Sequence, residues 1–310
     1  MSTRNTALSL LLVFFTLSLQ AANTGDKEAK QKQPLKRIVI DPGHGGSAAA
    51  AGKFYGASGK HMEEKDVGLA VGLKLRDVIQ QEMPDVEVIM TRTTDVFDHP
   101  RIKANKANAA KGDLFISLHC NGMDPLVHKE IIGYTTKTVK KKGKKTTKKI
   151  PEYRIWTSPY PASGTETYIW GVGKTKDKEE ALSENNFNDT AMLEIKQSDN
   201  PAVRMINSMR VNEYAQRSRK LAETIEEEFI NSGRPSRGAK QRDDKGIWVL
   251  QAVAMPAILI ELGFLSDPDE EEFITSSDGQ QKTAETIVKA LKRYRLSLEA
   301  QQNIKTQYSK

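Results

Sequence analysis

Four residues of this chain have side chains and settings suited to holding a metal ion and moving a proton: His44, Glu64, His119 and Glu261. His44 sits in the turn Pro42-Gly-His-Gly-Gly46, directly after the apolar run Ile38-Val-Ile40. Glycines on both sides of the imidazole let the backbone approach a ligand closely. A lone histidine in such a turn is more often structural than functional, but His119 closes a second apolar run, Leu114-Phe-Ile-Ser-Leu118, before another turn, Asn121-Gly122. Glu261 lies within Ala257-Ile-Leu-Ile-Glu-Leu262, the composition of a central buried strand. A carboxylate there costs several kcal/mol unless a charge or a metal compensates it. A salt bridge to one of the many basic residues is the purely structural explanation; a functional carboxylate at a strand end is the preferred one. Two imidazoles and one carboxylate form the ligand set of a catalytic zinc, and a further carboxylate is the general base such a site needs. The residue types alone leave open which carboxylate has which part.

Other chemistries are less complete. The chain has no G-x-S-x-G elbow for a serine hydrolase. Cys120, the single cysteine, follows His119 on a strand and should face the opposite way as a packing residue. Gly171-Val-Gly-Lys-Thr175 imitates the end of a phosphate-binding loop, but Tyr168 stands where that motif needs glycine.

The elements that must position these groups follow from periodicity. Arg37–Ile40, Val86–Met90, Asp113–His119, Glu166–Trp170, Ile247–Leu250 and Ala257–Leu262 read as strands. Acidic Glu63-Glu64-Lys65-Asp66 opens a helix whose apolar positions are Val67, Ala70, Val71, Leu75 and Val78, so Glu64 belongs to a first helical turn. Arg101–Lys111 reads as a short helix, Val211–Phe229 as a long one stopped by Gly233 and Pro235, and Thr283–Leu296 as a closing one. Strands and helices alternate, which predicts an α/β fold: a mostly parallel twisted sheet of about six strands with helices on both faces. In such a sheet His44 and His119, each at a strand end before a turn, share one edge.

Composition bounds the setting. The net charge is +7, from 47 Lys and Arg against 40 Asp and Glu, which favours anionic partners. Residues 1–21 read as a secretory signal: Arg4, then the apolar run Ala7–Leu19, then Ala21-Ala22. The run is too short for a comfortable membrane span, and no cysteine stands at the cleavage site, so no stable membrane anchor is expected. Residues 22–35 read as a disordered spacer, 36–297 as one catalytic domain and 298–310 as a frayed tail. Lys137–Lys149 holds eight lysines and no acid in thirteen residues. This is a solvated loop or hairpin tip, or a contact for an anionic polymer; the absence of interleaved aromatics argues against nucleic acid.

The words around these residues resemble a known family. They include Ile40-Asp-Pro-Gly-His44-Gly-Gly, Glu64-Lys-Asp-Val, Thr91-Arg-Thr-Thr-Asp95, Ala107-Asn108 and Asp113-Leu-Phe-Ile-Ser-Leu-His119-Cys-Asn. Ser163-Gly-Thr-Glu-Thr-Tyr168 and Met255-Pro-Ala-Ile-Leu-Ile-Glu261-Leu-Gly-Phe-Leu-Ser266 complete the set. Together they look like the zinc-dependent N-acetylmuramoyl-L-alanine amidases of the AmiC-like (amidase 3) type, over nearly all of residues 36–295. The resemblance implies that His44, Glu64 and His119 bind Zn2+ and that Glu261 is the catalytic glutamate, with Glu64 preferred to Glu63 because the family's ligand directly precedes the lysine. It implies an exported, periplasmic enzyme acting on peptidoglycan. A zinc peptidase, a deacetylase or a catalytically silent wall-binding protein are the competing readings. Two departures stand out: Lys103 occupies a position where the family usually has arginine, and the lysine-rich stretch before Ser163 is longer than usual. In some relatives an inserted helix covers the zinc; here the matching segment is Lys176–Asn200, on which an activating protein partner would act.

Overall fold

The computed structural model describes residues 34–310 apart from 142–143, 172–177, 179–200, 243–245 and 309–310. The expected signal peptide, nearly all of the spacer and, apart from Lys178, the 176–200 segment lie outside the described residues.

The core is a sheet in the order β2-β1-β3-β8-β6-β7. Its strands are β1 (Arg37–Pro42), β2 (Glu87–Met90), β3 (Leu114–Asn121), β6 (Thr165–Trp170), β7 (Ser236–Arg242) and β8 (Ala257–Phe264). All pairings are parallel except β6 with β8, which run antiparallel. The N-terminal end of β6 therefore lies on the same rim of the sheet as the C-terminal ends of β1, β3 and β8.

Alternation along the strands divides the apolar residues between two clusters. On one face Ile38, Ile40, Ile116, Leu118 and Ile260 pack against α2 (Glu64–Glu82), α4 (Pro201–Asn231) and α7 (Ser277–Tyr308). On the other, Val39, Phe115, Ala257 and Leu259 meet α3 (Pro100–Ala109) and the short α5 (Trp248–Ala252). Two small helices, α1 (Ala48–Ala51) and α6 (Pro268–Thr275), flank the rim. Among the described residues no helix is long and apolar enough to cross a membrane.

The structure departs from the sequence expectation at several points. Ile247–Leu250 is not a strand: Leu250 and Gln251 donate backbone hydrogen bonds to Ile247, starting α5. Its β-type composition reflects burial of Val249 and Leu250 against the sheet rather than a place in it. Strand β7 is added at the edge; its sequence Ser-Arg-Gly-Ala-Lys-Gln-Arg is too polar to announce a strand, as suits an edge. Leu35 is fully buried, so the spacer ends before it, and the last helix continues to Tyr308 rather than fraying at 298. The lysine run forms the tip of a separate two-stranded hairpin, β4 (Leu126–Lys141) with β5 (Lys144–Ser158).

Candidate metal centre

The sheet rim brings His44, Glu64 and His119 together. Oε1 of Glu64 lies 2.9 Å from Nε2 of His44 and 2.8 Å from Nδ1 of His119, and the two imidazole nitrogens are 3.1 Å apart. A tetrahedral ion with bonds of about 2.0–2.1 Å sets its ligand atoms roughly 3.3 Å apart, so this triangle suits one small cation. Among the described residues it is the group of histidines and carboxylates whose ligand atoms converge in this way.

Each of the three side chains reaches the triangle by a different local device. His44 adopts φ of 53°, a left-handed conformation unusual for a residue with a Cβ, and Gly45 and Gly46 continue it at 122° and 75°. The turn is held by Arg92, whose guanidinium donates to the carbonyls of Pro42, Gly43, Thr94 and Lys65. That single buried side chain joins the His44 turn to the first turn of α2. Asp95 adds to the same tie, accepting from the Gly46 amide at 2.7 Å and pairing with Lys65 at 2.7 Å. The Thr91-Arg-Thr-Thr-Asp95 word, given no role by sequence reasoning, is thus the clamp of the site.

Glu64 is the first residue of α2 and is buried. Its Oε2 accepts from the Ala57 amide at 2.7 Å and its Oε1 from the Cys120 amide at 3.1 Å. Burial works to raise its pKa, but the hydrogen bonds and charges of His119 and His44 outweigh it and keep the group ionised. Glu63 is turned elsewhere: it accepts from the Tyr55 hydroxyl and lies 3.4 Å from Lys65. Cys120 is buried on the opposite face of β3, and burial pushes its thiol well above its ordinary value, so it takes no part as a thiolate.

His119 is oriented from behind. With Nδ1 turned to the triangle, Nε2 carries the proton and donates to Ser117 Oγ at 3.1 Å, and Ser117 donates to Asp41 Oδ2 at 2.8 Å. Residues 117 and 119 share a face of β3, and Asp41 is the register partner of Ser117 on β1. Asp41 also accepts from Thr91 at 2.6 Å and pairs with Lys103 at 3.0 Å, with both partners buried. Burial opposes ionisation of Asp41, yet the Lys103 charge and these hydrogen bonds hold its pKa below the usual value. Lys103, a departure from the family pattern, is therefore the counter-ion of the shell behind His119. A serine within a fully apolar strand was the available sequence signal for this shell, since a buried hydroxyl needs a partner.

Glu261 is the register partner of His119 on one side and of Glu166 on the other. It is 9% exposed, and its Oε2 has no hydrogen-bond partner. Burial first, then the negative charge of Glu64, pushes its carboxyl up to about 8. Its neighbour is the opposite case. Burial alone would raise Glu166, but hydrogen bonds from Lys240, Tyr168 and Arg237 hold it below the ordinary value. Beside the triangle a cavity of about 210 Å³ is walled by Phe97, Ile247, Trp248, Val249 and Leu259, with Asp41 and Lys103 also lining it. Asn108 secures that wall, donating to the Ala252 carbonyl at 2.9 Å and accepting from the Ala254 amide at 2.8 Å.

The comparisons bear on the arrangement as a whole. The family described as N-acetylmuramoyl-L-alanine amidase (amidase 3) matches residues 38–293. The chain belongs to that amidase family. AmiC of Escherichia coli is 28% identical over 258 residues, covering 83% of this chain and 52% of that protein, so the chain spans about half the length of this curated relative. The germination-specific N-acetylmuramoyl-L-alanine amidase of Bacillus subtilis is 26% identical over 304 residues, 93% of this chain and 92% of that one. Among solved structures, an amidase from Clostridium difficile 630 matches with a TM-score of 0.51 at 23% identity, over 84% of this chain and 97% of that one. The CwlD amidase of Clostridioides difficile, solved in complex with the GerS lipoprotein, matches with a TM-score of 0.50 at 23% identity, over 85% and 99%. At these identities the solved structures establish the α/β amidase fold.

Proposed function

We propose that this protein is an exported, zinc-dependent peptidoglycan amidase that cleaves the amide between N-acetylmuramic acid and the L-alanine of the stem peptide. The observation that carries the reading is the meeting of three ligand atoms within 3.1 Å of one another, with an unpartnered buried carboxylate one register position away. His44, Glu64 and His119 would hold the ion. Bound there, zinc supplies Lewis-acid polarisation of a carbonyl and brings the pKa of water towards about 7. Glu261 takes the proton from the attacking water on its free oxygen and passes it to the departing alanine nitrogen. Burial and the nearby Glu64 charge raise the proton affinity of this carboxylate in the metal-free fold, which favours the half of the transfer in which it takes a proton. The apolar wall of Phe97, Ile247 and Trp248 shields the reacting centre from bulk water and receives the uncharged part of the substrate.

The Ala7–Leu19 run supports export, and the relatives' names support a wall substrate. An activating protein acting on residues 176–200 is part of the proposal; the complex of the Clostridioides difficile CwlD amidase with GerS is a precedent for a protein partner.

Digestion of purified peptidoglycan followed by mass spectrometry tests the reading. The expected product has a new alanine amine and an intact lactyl group on the sugar. Cuts within the stem peptide would indicate a peptidase, free glucosamine amines a deacetylase, and no new ends a silent binding protein.

A further inference from the structure

The β4–β5 hairpin has no part in the site described above, yet it leaves the sheet at Asn121 and returns at Thr165, both on the rim that carries the metal cluster. Its pairing register assigns each residue to a face. Val127 pairs with Thr157, Lys129 with Ile155 and Ile131 with Tyr153; a bulge follows, after which Tyr134 pairs with Pro151. Cross-strand partners share a face, and so do residues two apart on one strand. Val127, Ile131, Tyr134, Tyr153 and Ile155 therefore form one stripe along the hairpin. All five are exposed, with Val127 at 70%, Ile155 at 63% and Tyr134 at 61%. Continuing the same alternation towards the tip reaches Lys149 and Lys145, both exposed, and Lys129 lies 3.6 Å above the Tyr153 ring. The stripe passes from apolar to cationic along one face.

An isolated two-stranded hairpin is marginal in water, and a contiguous apolar face on it is a surface that something else covers. Three occupants are conceivable, and charge and chemistry choose between them. A second copy of this chain would set one lysine-dense tip against another. A purely polysaccharide partner would satisfy the lysines through its acidic groups but leave β-branched Val127, Ile131 and Ile155 without apolar cover. An anionic lipid bilayer answers both halves: hydrocarbon receives the aliphatic side chains, tyrosine rings suit the interface, and lysines meet the headgroups. We infer that the hairpin is a reversible docking arm for an anionic lipid surface, which holds the metal-bearing rim close to that membrane.

Sedimentation with lipid vesicles tests this, using the chain from Gln33 onward, which contains both apolar clusters of the fold whole and excludes the apolar Ala7–Leu19 run. Vesicles of phosphatidylcholine alone are compared with vesicles containing one part in three of phosphatidylglycerol. The anionic vesicles are expected to bind at least tenfold more tightly, and the difference to shrink with added salt. The combined variant Ile131→Ser, Tyr134→Ser, Ile155→Ser and, separately, Lys129→Gln, Lys145→Gln, Lys149→Gln should each lose at least tenfold in that binding. Both should keep the parent's metal content, because the hairpin contributes no ligand. Equal binding to the two vesicle types, or none to either, would overturn the proposal. So would vesicle binding that neither variant weakens. If vesicles fail but isolated wall material is retained and released by the lysine variant, a wall polymer is the occupant; if the serine variant instead abolishes a dimer seen by light scattering, a second copy is.

Discussion

Nε2 of His119 lies 3.1 Å from the hydroxyl of Ser117, two residues earlier on the same strand. The contact fixes the tautomer that leaves Nδ1 free for a metal, and its continuation to Asp41 anchors the ring's orientation. Ser117→Ala should therefore keep the fold and bind zinc about 10–100-fold more weakly. Competition against a chelator of known affinity measures this, and an unchanged zinc affinity would remove the orienting role.

The three ligands and the glutamate should separate cleanly. His44→Ala and His119→Ala are expected to lose both zinc and hydrolysis, since each removes one corner of the triangle. Glu261→Gln should retain zinc at full stoichiometry while turnover falls about 10²–10⁴-fold. Metal analysis beside a wall-fragment assay reads both. Full zinc in either histidine variant would refute the ligand assignment.

Stability of the metal-free protein should depend on Glu261 in a direction that its environment dictates. Burial and Glu64 raise its carboxyl to about 8 in the fold, against an ordinary value of about 4.3 in an unfolded chain. A raised carboxyl is most favourable to folding below the unfolded value, and that contribution is lost as pH climbs towards the folded one. Relative to the parent, Glu261→Gln should thus gain stability between pH of about 4.3 and 8, reaching the order of a few kcal/mol at the upper end. Urea titrations across that range supply the measurement; a difference that is flat with pH contradicts it.

Lys103 and Asp41 form a buried pair, and a buried charge without its partner is costly. Lys103→Met is expected to destabilise by about 3–5 kcal/mol. Adding Asp41→Asn should recover part of the loss, because the stranded charge is then gone. Strict additivity in this cycle would mean that the pair is not coupled.

The backbone beside His119 leaves no room. A Cβ at Gly43 would lie 2.5 Å from the His119 ring. Gly43→Ala should therefore displace the imidazole and weaken zinc binding at least tenfold, more than Ser117→Ala if ring position matters beyond ring orientation. Comparing the two by the same chelator competition tests that ranking.

How much of this was legible beforehand depends on what each pattern encodes. The parallel strands β1, β3 and β8 are continuous apolar runs ending in turns, and buried parallel strands must look like that. Edge strand β7 hides because its solvent-facing surface is polar, and α5 because Ile-Trp-Val-Leu reports burial rather than backbone shape. His44, Glu64 and His119 were visible as residues of the right type at strand and helix ends. What joins them was not. Arg92 acts through carbonyls of Pro42, Gly43, Thr94 and Lys65, and no spacing rule in a sequence marks a side chain that serves other residues' backbones. The hairpin's apolar stripe was hidden for a related reason: the bulge after Ile131 shifts the alternation, so only the pairing reveals which residues share a face.

Because β6 runs against β8, the chain that leaves the sheet after β3 rejoins it on the same rim and never has to cross the molecule. The stretch between them is an out-and-back excursion on which the sheet imposes only its two end points. Residue pairs can be added to or removed from that ladder in register without disturbing any strand of the sheet. Two pairs at a time, which keep the alternation of faces and with it the apolar stripe, change its length by about 6.8 Å. The reach of the hairpin beyond the rim is thus adjustable by insertion and deletion alone, with the His44, Glu64 and His119 triangle left as it stands.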